Sequence, residues 1–456
     1  MENTKQDLYK LLRDAYNGEG GFLDGSYLEQ HPREASEKYE MRKRLAYYLN
    51  YTKPCLDAHV SPIFKTLAVR DYKGSGEKIW ATFAKDVNFL DEPIEKLMKK
   101  AAYSAKLNGV AFIVMDKVVD AEANSLADLE QNRNALPYAY VVDALSVKEV
   151  VLDRFGRIIK FVYNEKDEDT KAVTPAERTM TIDGWSLKNS KGVYKGEWNI
   201  GCVPVIALYS KEHNTQDVFP PSEFTSIAKT NLAIFNMCSW LNDILINQTF
   251  SVLIYPGNNG DEITLGTNNA LSYPAESSHA PSFIAPPSDP ANVLIGQIAN
   301  LQQEIYRMAI VVNVTGSSRQ QSGYAKAWDY EATNQLLSDF ADAVESAERK
   351  LARLFCLWTG TELEYKVNYP SDFKISEVEQ ELANAEIAKG LNFGDGFNVE
   401  VFKRVLTAYL PELMAEDFDR LVADYVAMQE QERLDLNNED VDDDDGANNT
   451  EDNNED

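Results

Sequence analysis

The reading turns on residues 289–358, which run DPANVLIGQIANLQQEIYRMAIVV over 289–312, NVTGSSRQQSG over 313–323 and YAKAWDYEATNQLLSDFADAVESAERKLARLFCLW over 324–358. Asp289-Pro290 is a cap followed by proline at the first helical position, where the missing N–H costs nothing. Leu294, Ile298, Leu301, Ile305, Met308 and Val312 then alternate steps of four and three, the spacing of one helical face over 290–312. Residues 313–323 form a polar loop. The helix expected beyond it carries Leu337, Phe340, Val344, Ala347, Leu351, Leu354 and Trp358 in unbroken register. A seam that regular needs a partner helix along its whole length, from the same subunit or from a neighbour.

Upstream, Pro220-Pro221-Ser222 opens another helix over 222–248, with Ser222 as N-cap and Ile227, Ile234, Cys238, Leu241 and Leu245 as its apolar face. Residues 249–289, rich in Pro, Gly, Asn and Ser, make a compact insert between the two helices. Residues 138–210 read as a β-rich block. There Asp153-Arg154-Phe155-Gly156 joins two short apolar runs, and Asp183-Gly184 and Asn189-Ser190-Lys191-Gly192 mark further turns. A helix over 91–107 stops at Asn108-Gly109, and Val110-Ala111-Phe112-Ile113-Val114-Met115 is a buried strand. Residues 33–50 read as helical, and residues 1–34 as a polar, Gly-bearing arm. A strand at 363–367 is followed by two or three amphipathic helices over 375–435. Residues 436–456 are too acidic and too poor in apolar groups to pack, and are expected to be disordered. The class is α+β, mainly helical.

At 456 residues the chain has room for about three domains. It carries 45 Lys and Arg against 73 Asp and Glu, a net charge of −28. Proteins that grip nucleic acid neutralise phosphates with a basic face, so any DNA this chain meets should slide rather than stick. No apolar run is long enough to cross a membrane and the opening residues form no secretory leader, so the expectation is a chain folding in a cytoplasm without a membrane contact. Cys55, Cys202, Cys238 and Cys356 are scattered and read as buried thiols rather than a metal or redox set. His31, His59, His213 and His279 share no ligand spacing and read as surface or capping residues. There is no phosphate-binding G-x-x-x-x-G-K-[ST], no complete dinucleotide fingerprint at Gly74-Ser75-Gly76, no H-E-x-x-H and no G-x-S-x-G. The Asp442–Asp445 run places Val441 where a calcium loop needs its first ligand. No catalytic site, metal or cofactor is expected.

The order of these pieces resembles the portal proteins of tailed bacteriophages. The resemblance is carried by residues 94–116, by Pro137-Tyr138-Ala139-Tyr140-Val141-Val142, by Val203-Pro204-Val205-Ile206, and by Asn247-Gln248-Thr249-Phe250 with Pro256-Gly257 beyond it. It continues through Ser322-Gly323-Tyr324-Ala325-Lys326-Ala327 leading into the long helix, Cys356-Leu357-Trp358-Thr359-Gly360, and Tyr369-Pro370-Ser371-Asp372-Phe373. It spans about 35–430.

The resemblance implies a wing over 35–221 and 324–374, stem helices at 222–248 and 290–312, a clip at 249–289, a tunnel loop at 313–323 and a crown at 375–435. It implies a homo-oligomeric ring of twelve subunits at one capsid vertex of a virion made in the host cytoplasm. Partners would be the major capsid protein, the terminase large subunit, a head-tail adaptor, and double-stranded DNA passing without sequence readout. In the loop, Thr315, Gly316, Ser317, Ser318, Arg319, Gln320, Gln321 and Ser322 are the candidates to meet DNA, Arg319 and Gln320 at phosphates; a solvated loop arginine is the plainer alternative. Asp243 and Glu304 are candidates to face the channel, or else to pair between subunits. The rival from another class is a helical scaffold that binds proteins and never forms a channel; it has no need of a polar loop between two long seams.

Overall fold

The computed structural model describes residues 3–118, 128–129, 132–167, 175–212, 217–250, 252–254, 280, 282–284, 287–310, 323–371, 373, 378–390, 394–410 and 415–442. The chain is mixed helix and sheet and divides into two compact units, Met1–Phe373 and Lys374–Asp456.

The first unit begins with α1 (Asn3–Asn17), a short α2 (Gly21–Asp24), α3 (Ser36–Leu45) and α4 (Thr52–Val60). Where the sequence reads as an arm, α1 is seated in the core through Tyr9, Leu12 and Ala15, packed against α4. The polar composition of 1–34 hides this stripe, because its apolar residues recur at helical spacing within a hydrophilic stretch. β1 (Val69–Lys73) and α5 (Glu77–Lys85) follow; neither stands out by spacing, although α5 buries Ile79, Trp80 and Phe83.

α6 (Ile94–Asn108) ends at Gly109, whose φ of +90° only glycine adopts readily and where a Cβ would sit 2.6 Å from the Pro220 carbonyl oxygen. All seven residues of β2 (Val110–Asp116) are buried. It is the centre of an antiparallel three-stranded sheet, flanked by β3 (Tyr138–Asp143) and, from far along the chain, β9 (Val205–Tyr209). Between them β4 (Val147–Leu152), β5 (Ile158–Glu165), β6 (Ala176–Thr181), β7 (Gly184–Asn189) and β8 (Gly192–Glu197) form a five-stranded antiparallel meander. Gly156, at φ +81°, supplies the turn between β4 and β5. Arg178 on β6 joins the sheets by bonding Asp116 at 3.0 Å and Glu165 at 3.1 Å.

α7 (Phe224–Thr249) starts where the sequence places a cap: the Ser222 hydroxyl accepts from the Phe224 N–H at 3.0 Å and donates to the Leu107 carbonyl at 2.5 Å. Of the insert, the described part is an antiparallel pair, β10 (Val252–Ile254) with β11 (Ser282–Ile284). α8 (Asp289–Met308) returns toward the core and α9 (Gly323–Thr359) crosses it. The α9 stripe Leu337, Phe340, Val344, Ala347, Leu351 and Leu354 is buried as its spacing requires. Its cover differs from the expected partner helix: β9, α6 and β12 (Glu364–Asn368), the last paired with β1, share the length.

The second unit contains α10 (Val378–Gly390), α11 (Asp395–Tyr409) and α12 (Ala415–Asp442), with α11 packed against both others and Phe402 stacked on Tyr425 at 4.1 Å. α12 continues through residues 436–442, which the sequence assigns to a disordered tail; residues 443–456 lie outside the described ones.

Candidate functional site

The antiparallel hairpin of α7 and α8 is rooted in the core by Phe224, Ile227, Ile234, Phe235 and Ile305, but its distal half is not covered by it. Its proximal end is fixed by polar groups. Asn231, fully buried, accepts from the Tyr48 hydroxyl at 2.8 Å, from the N–H groups of Tyr51 and Thr52 at 3.0 and 3.2 Å, and from the Thr52 hydroxyl at 3.1 Å. Its amide donates to the Leu49 carbonyl at 2.8 Å. One turn and more along, Asn236 accepts from the Glu29 N–H at 2.8 Å and donates to the Tyr27 carbonyl. Ser239 accepts from Arg42, itself paired with Glu34 at 2.8 Å. Asn242 donates to the Leu45 carbonyl, and Asp243 pairs with Lys38 at 2.8 Å. Together these form a ladder down one side of α7 onto residues 27–52. The sequence reading takes α7 only by its apolar face; the signal for the ladder is asparagine recurring at 231, 236 and 242 in an otherwise apolar helix.

α8 is held at its far end by His59. The Ala309 carbonyl can only accept, so His59 Nε2 carries the proton and donates to it at 2.6 Å, with the Phe224 ring edge-on at 5.4 Å. Burial pulls the imidazole down to about 4, and the nearby Lys106 ammonium adds to the effect against the Ala309 bond. His59 is thus a core residue, not the surface or capping residue its sequence context suggests; His31 is exposed, its Nδ1 accepting from the Arg33 N–H in a turn. Ile310 follows at φ +55°, a costly conformation for a β-branched residue, and its carbonyl accepts from the Thr333 hydroxyl at 3.1 Å.

Toward the tip the hairpin loses its cover. Trp240 is 37% exposed, Leu245 46%, Val293 72% and Ile295 52%. Phe250, Ile254, Phe283 and Ile284 are exposed as well. Charge is as uneven as polarity: between Lys229 and Arg307 the chain has no lysine or arginine. The two acidic candidates on the helices are not free charges. Asp243 has Lys38, and Glu304 bonds Arg307 at 2.7 Å. The loop candidates Thr315, Gly316, Ser317, Ser318, Arg319, Gln320, Gln321 and Ser322 lie outside the described residues.

Elsewhere the chemistry is structural. Glu348, buried at the middle of α9, accepts from Arg70 at 2.7 and 3.1 Å, from the Tyr365 hydroxyl at 2.5 Å and from the Tyr369 hydroxyl, while Arg70 also bonds Glu95. A cleft of about 210 Å³ beside it is lined by Phe64, Leu67, Ala68, Pro93 and Tyr369, with Thr66, Arg70, Glu95, Lys96 and Lys99 at its polar side, and Arg70 and Glu95 there bond each other. Among the described residues no three His, Cys, Asp or Glu side chains gather as a metal site, and no helix is long and apolar enough to cross a membrane. Cys55 and Cys238 are buried, whereas Cys202 and Cys356 are half-buried rather than fully enclosed as expected.

No family model matches the chain. No curated protein matches it. Among solved structures it is similar to a chain in the neck of an empty GTA particle, computed with C6 symmetry (12% identity, TM-score 0.44, covering 88% of this chain and 93% of that one). It is also similar to chains in the virion of the native gene transfer agent particle (11%, TM-score 0.39, covering 75% and 89%) and in the neck of that native particle computed with C12 symmetry (12%, TM-score 0.40, covering 81% and 88%).

Proposed function

We propose that this chain is a portal subunit: twelve copies close into a ring at one capsid vertex of a tailed phage, and double-stranded DNA enters and leaves through the hole. The observation that carries the reading is the α7–α8 hairpin. Its two helices are followed at their far ends by the paired strands β10 and β11, and it exposes large apolar side chains over its distal half. Each such side chain gains about 1.5–3 kcal/mol when fully buried, so the distal hairpin is built to be covered by protein.

The electrostatics suit passage. A wall made from residues 230–306 offers phosphates no cation. Asp243 and Glu304, the candidates to face the channel, are each neutralised within the subunit, but Asp261, Glu262, Glu276 and Asp289 leave the segment acidic, so such a wall repels phosphates rather than holding them. DNA then passes with little counterion exchange and little friction. In this reading 222–248 and 290–312 are the stem, 249–289 the clip that meets the terminase and later the head-tail adaptor, and 313–323 the tunnel loop, with Arg319 at the phosphates. Residues 35–221 and 324–374 form the wing against the major capsid protein, and 375–435 the crown. The subunit performs no reaction.

Negative-stain microscopy of the purified full chain tests the proposal directly. Rings with a central hole wide enough for duplex DNA are expected. Monomers at every concentration, or a solid helical assembly, would overturn it in favour of a scaffold.

A further inference from the structure

The exposed apolar residues of the hairpin are not scattered. At about 100° per residue, Ile234, Met237, Leu241 and Ile244 share the face of α7 opposite Ser239, Asn242 and Asp243. α7 and α8 pack on each other, and the half-buried Leu294, Ile298, Leu301 and Met308 share one face of α8, so the seam between the helices is assigned to these two faces. Trp240 and Leu245 fall to either side of the α7 face, and Val293 and Ile295 to either side of the α8 face. Because α8 returns antiparallel, Trp240 and Val293 come to one flank of the hairpin, and Leu245 and Ile295 to the other.

We infer that neighbouring copies of this chain meet head to tail through these opposite flanks, Trp240 and Val293 of one against Leu245 and Ile295 of the next. The inference rests on the ring proposed above and names its contact. A two-fold dimer uses the same patch on both copies and would leave one apolar flank wet; a heterologous contact covers both, and forms a ring when its rotation closes. Charge permits it. None of the four contact residues is charged, and Asp243 and Glu304, the acidic groups nearest them on α7 and toward the root of α8, are already paired inside their own subunit.

Two full-length variants test the contact, one with Trp240→Glu and Val293→Glu, the other with Leu245→Glu and Ile295→Glu. All four positions are exposed, so circular dichroism and melting should match the unaltered chain. In analytical ultracentrifugation each variant alone should run as a monomer. Mixed equally they should form one-to-one dimers and nothing larger, since each dimer uses the one intact pair of flanks and ends in broken ones. A control with Trp240→Phe and Ile295→Val should keep the ring. Rings that persist in either charged variant, or self-dimers of one of them, would overturn this contact while leaving the ring reading standing. An unaltered chain that is monomeric at every concentration would instead remove the ring reading itself.

Discussion

α7 and α9 are both long helices set into the same unit; each buries an apolar stripe in the core, and α7 adds a row of polar bonds along one side. α9 presents an apolar stripe from Leu337 to Leu354 to sheets and helices, and its one buried charge, Glu348, is saturated by Arg70, Tyr365 and Tyr369. α7 is attached on one side by amides, a hydroxyl and ions: Asn231, Asn236, Ser239, Asn242 and Asp243. An apolar seam is strong but tolerates small slides, because area is conserved when side chains shift. A ladder of directional bonds contributes less net stability, yet a one-residue slip would leave every rung unpaired. The difference divides the labour: α9 supplies stability, and the ladder fixes the direction in which the hairpin points.

The largest effect should come from breaking the α9 side. Phe340 is fully buried and its ring also carries the Lys106 ammonium 4.9 Å from its centre. Phe340→Ala should cost about 3–5 kcal/mol in denaturant unfolding of the first unit, the range for a buried aromatic that leaves a cavity. A cost near that of a surface substitution would mean α9 is not the principal anchor.

His59 belongs to neither class, being one polar bond in an apolar setting at the root of α8. The unfolded chain takes up a proton at the ordinary 6.5, whereas burial holds the folded imidazole down to about 4. The proton therefore binds the unfolded state first. Stability is full above pH 6.5 and falls progressively as pH drops toward 4, by roughly 3 kcal/mol from this residue. Comparing the pH profile of the unaltered chain with that of His59→Gln isolates the contribution, and the variant should lose less stability between pH 6.5 and 4. Parallel profiles would show that His59 does not hold α8.

The same division explains what could be read in advance. The α9 stripe, β2 and the helices either side of the insert are visible because apolar residues announce themselves by spacing alone. The ladder is not, since asparagine at 231 and 236 finds backbone and side-chain groups in residues 27–52, and the helical pattern of 33–50 does not say which distant helix it meets. His59 finds a carbonyl at 309, and β1 finds β12 nearly three hundred residues away; neither partner has a sequence signature. Glu348 reads as one more solvated charge until Arg70 is brought beside it. For the candidate charges the sequence places Asp243 and Glu304 on the helices but gives no sign of Lys38, whose pairing with Asp243 depends on how α3 lies on α7.

Asn231→Ala sharpens the comparison. It removes one side chain but takes the partner from the Thr52 hydroxyl, two backbone N–H groups and the Leu49 carbonyl, while the Tyr48 hydroxyl keeps the Ala15 carbonyl at 2.9 Å. Each buried group left unpaired costs about 1–3 kcal/mol, and a water entering the space left by the amide re-pairs most of them, so the net loss should equal about one such group, smaller than at Phe340. Asn231→Asp keeps the acceptor and should recover part of it. Equal losses for Ala and Asp would show that shape, not hydrogen bonding, matters at this rung.

The outermost rung should matter least to stability and most clearly to salt. Asp243 and Lys38 are 2.8 Å apart, with side chains 29% and 49% exposed, so water screens their attraction. Asp243→Asn should cost about 0.2–1 kcal/mol at low salt, and the cost should shrink as ionic strength rises and the Debye length falls below the ~10 Å of 0.1 M salt. The Asn242 bond to Leu45 lies one residue away and is untouched, so the ladder should keep its register. A salt-independent loss of several kcal/mol would place Asp243 in a buried contact, and the polar side of α7 would then be a second load-carrying seam rather than an orienting one.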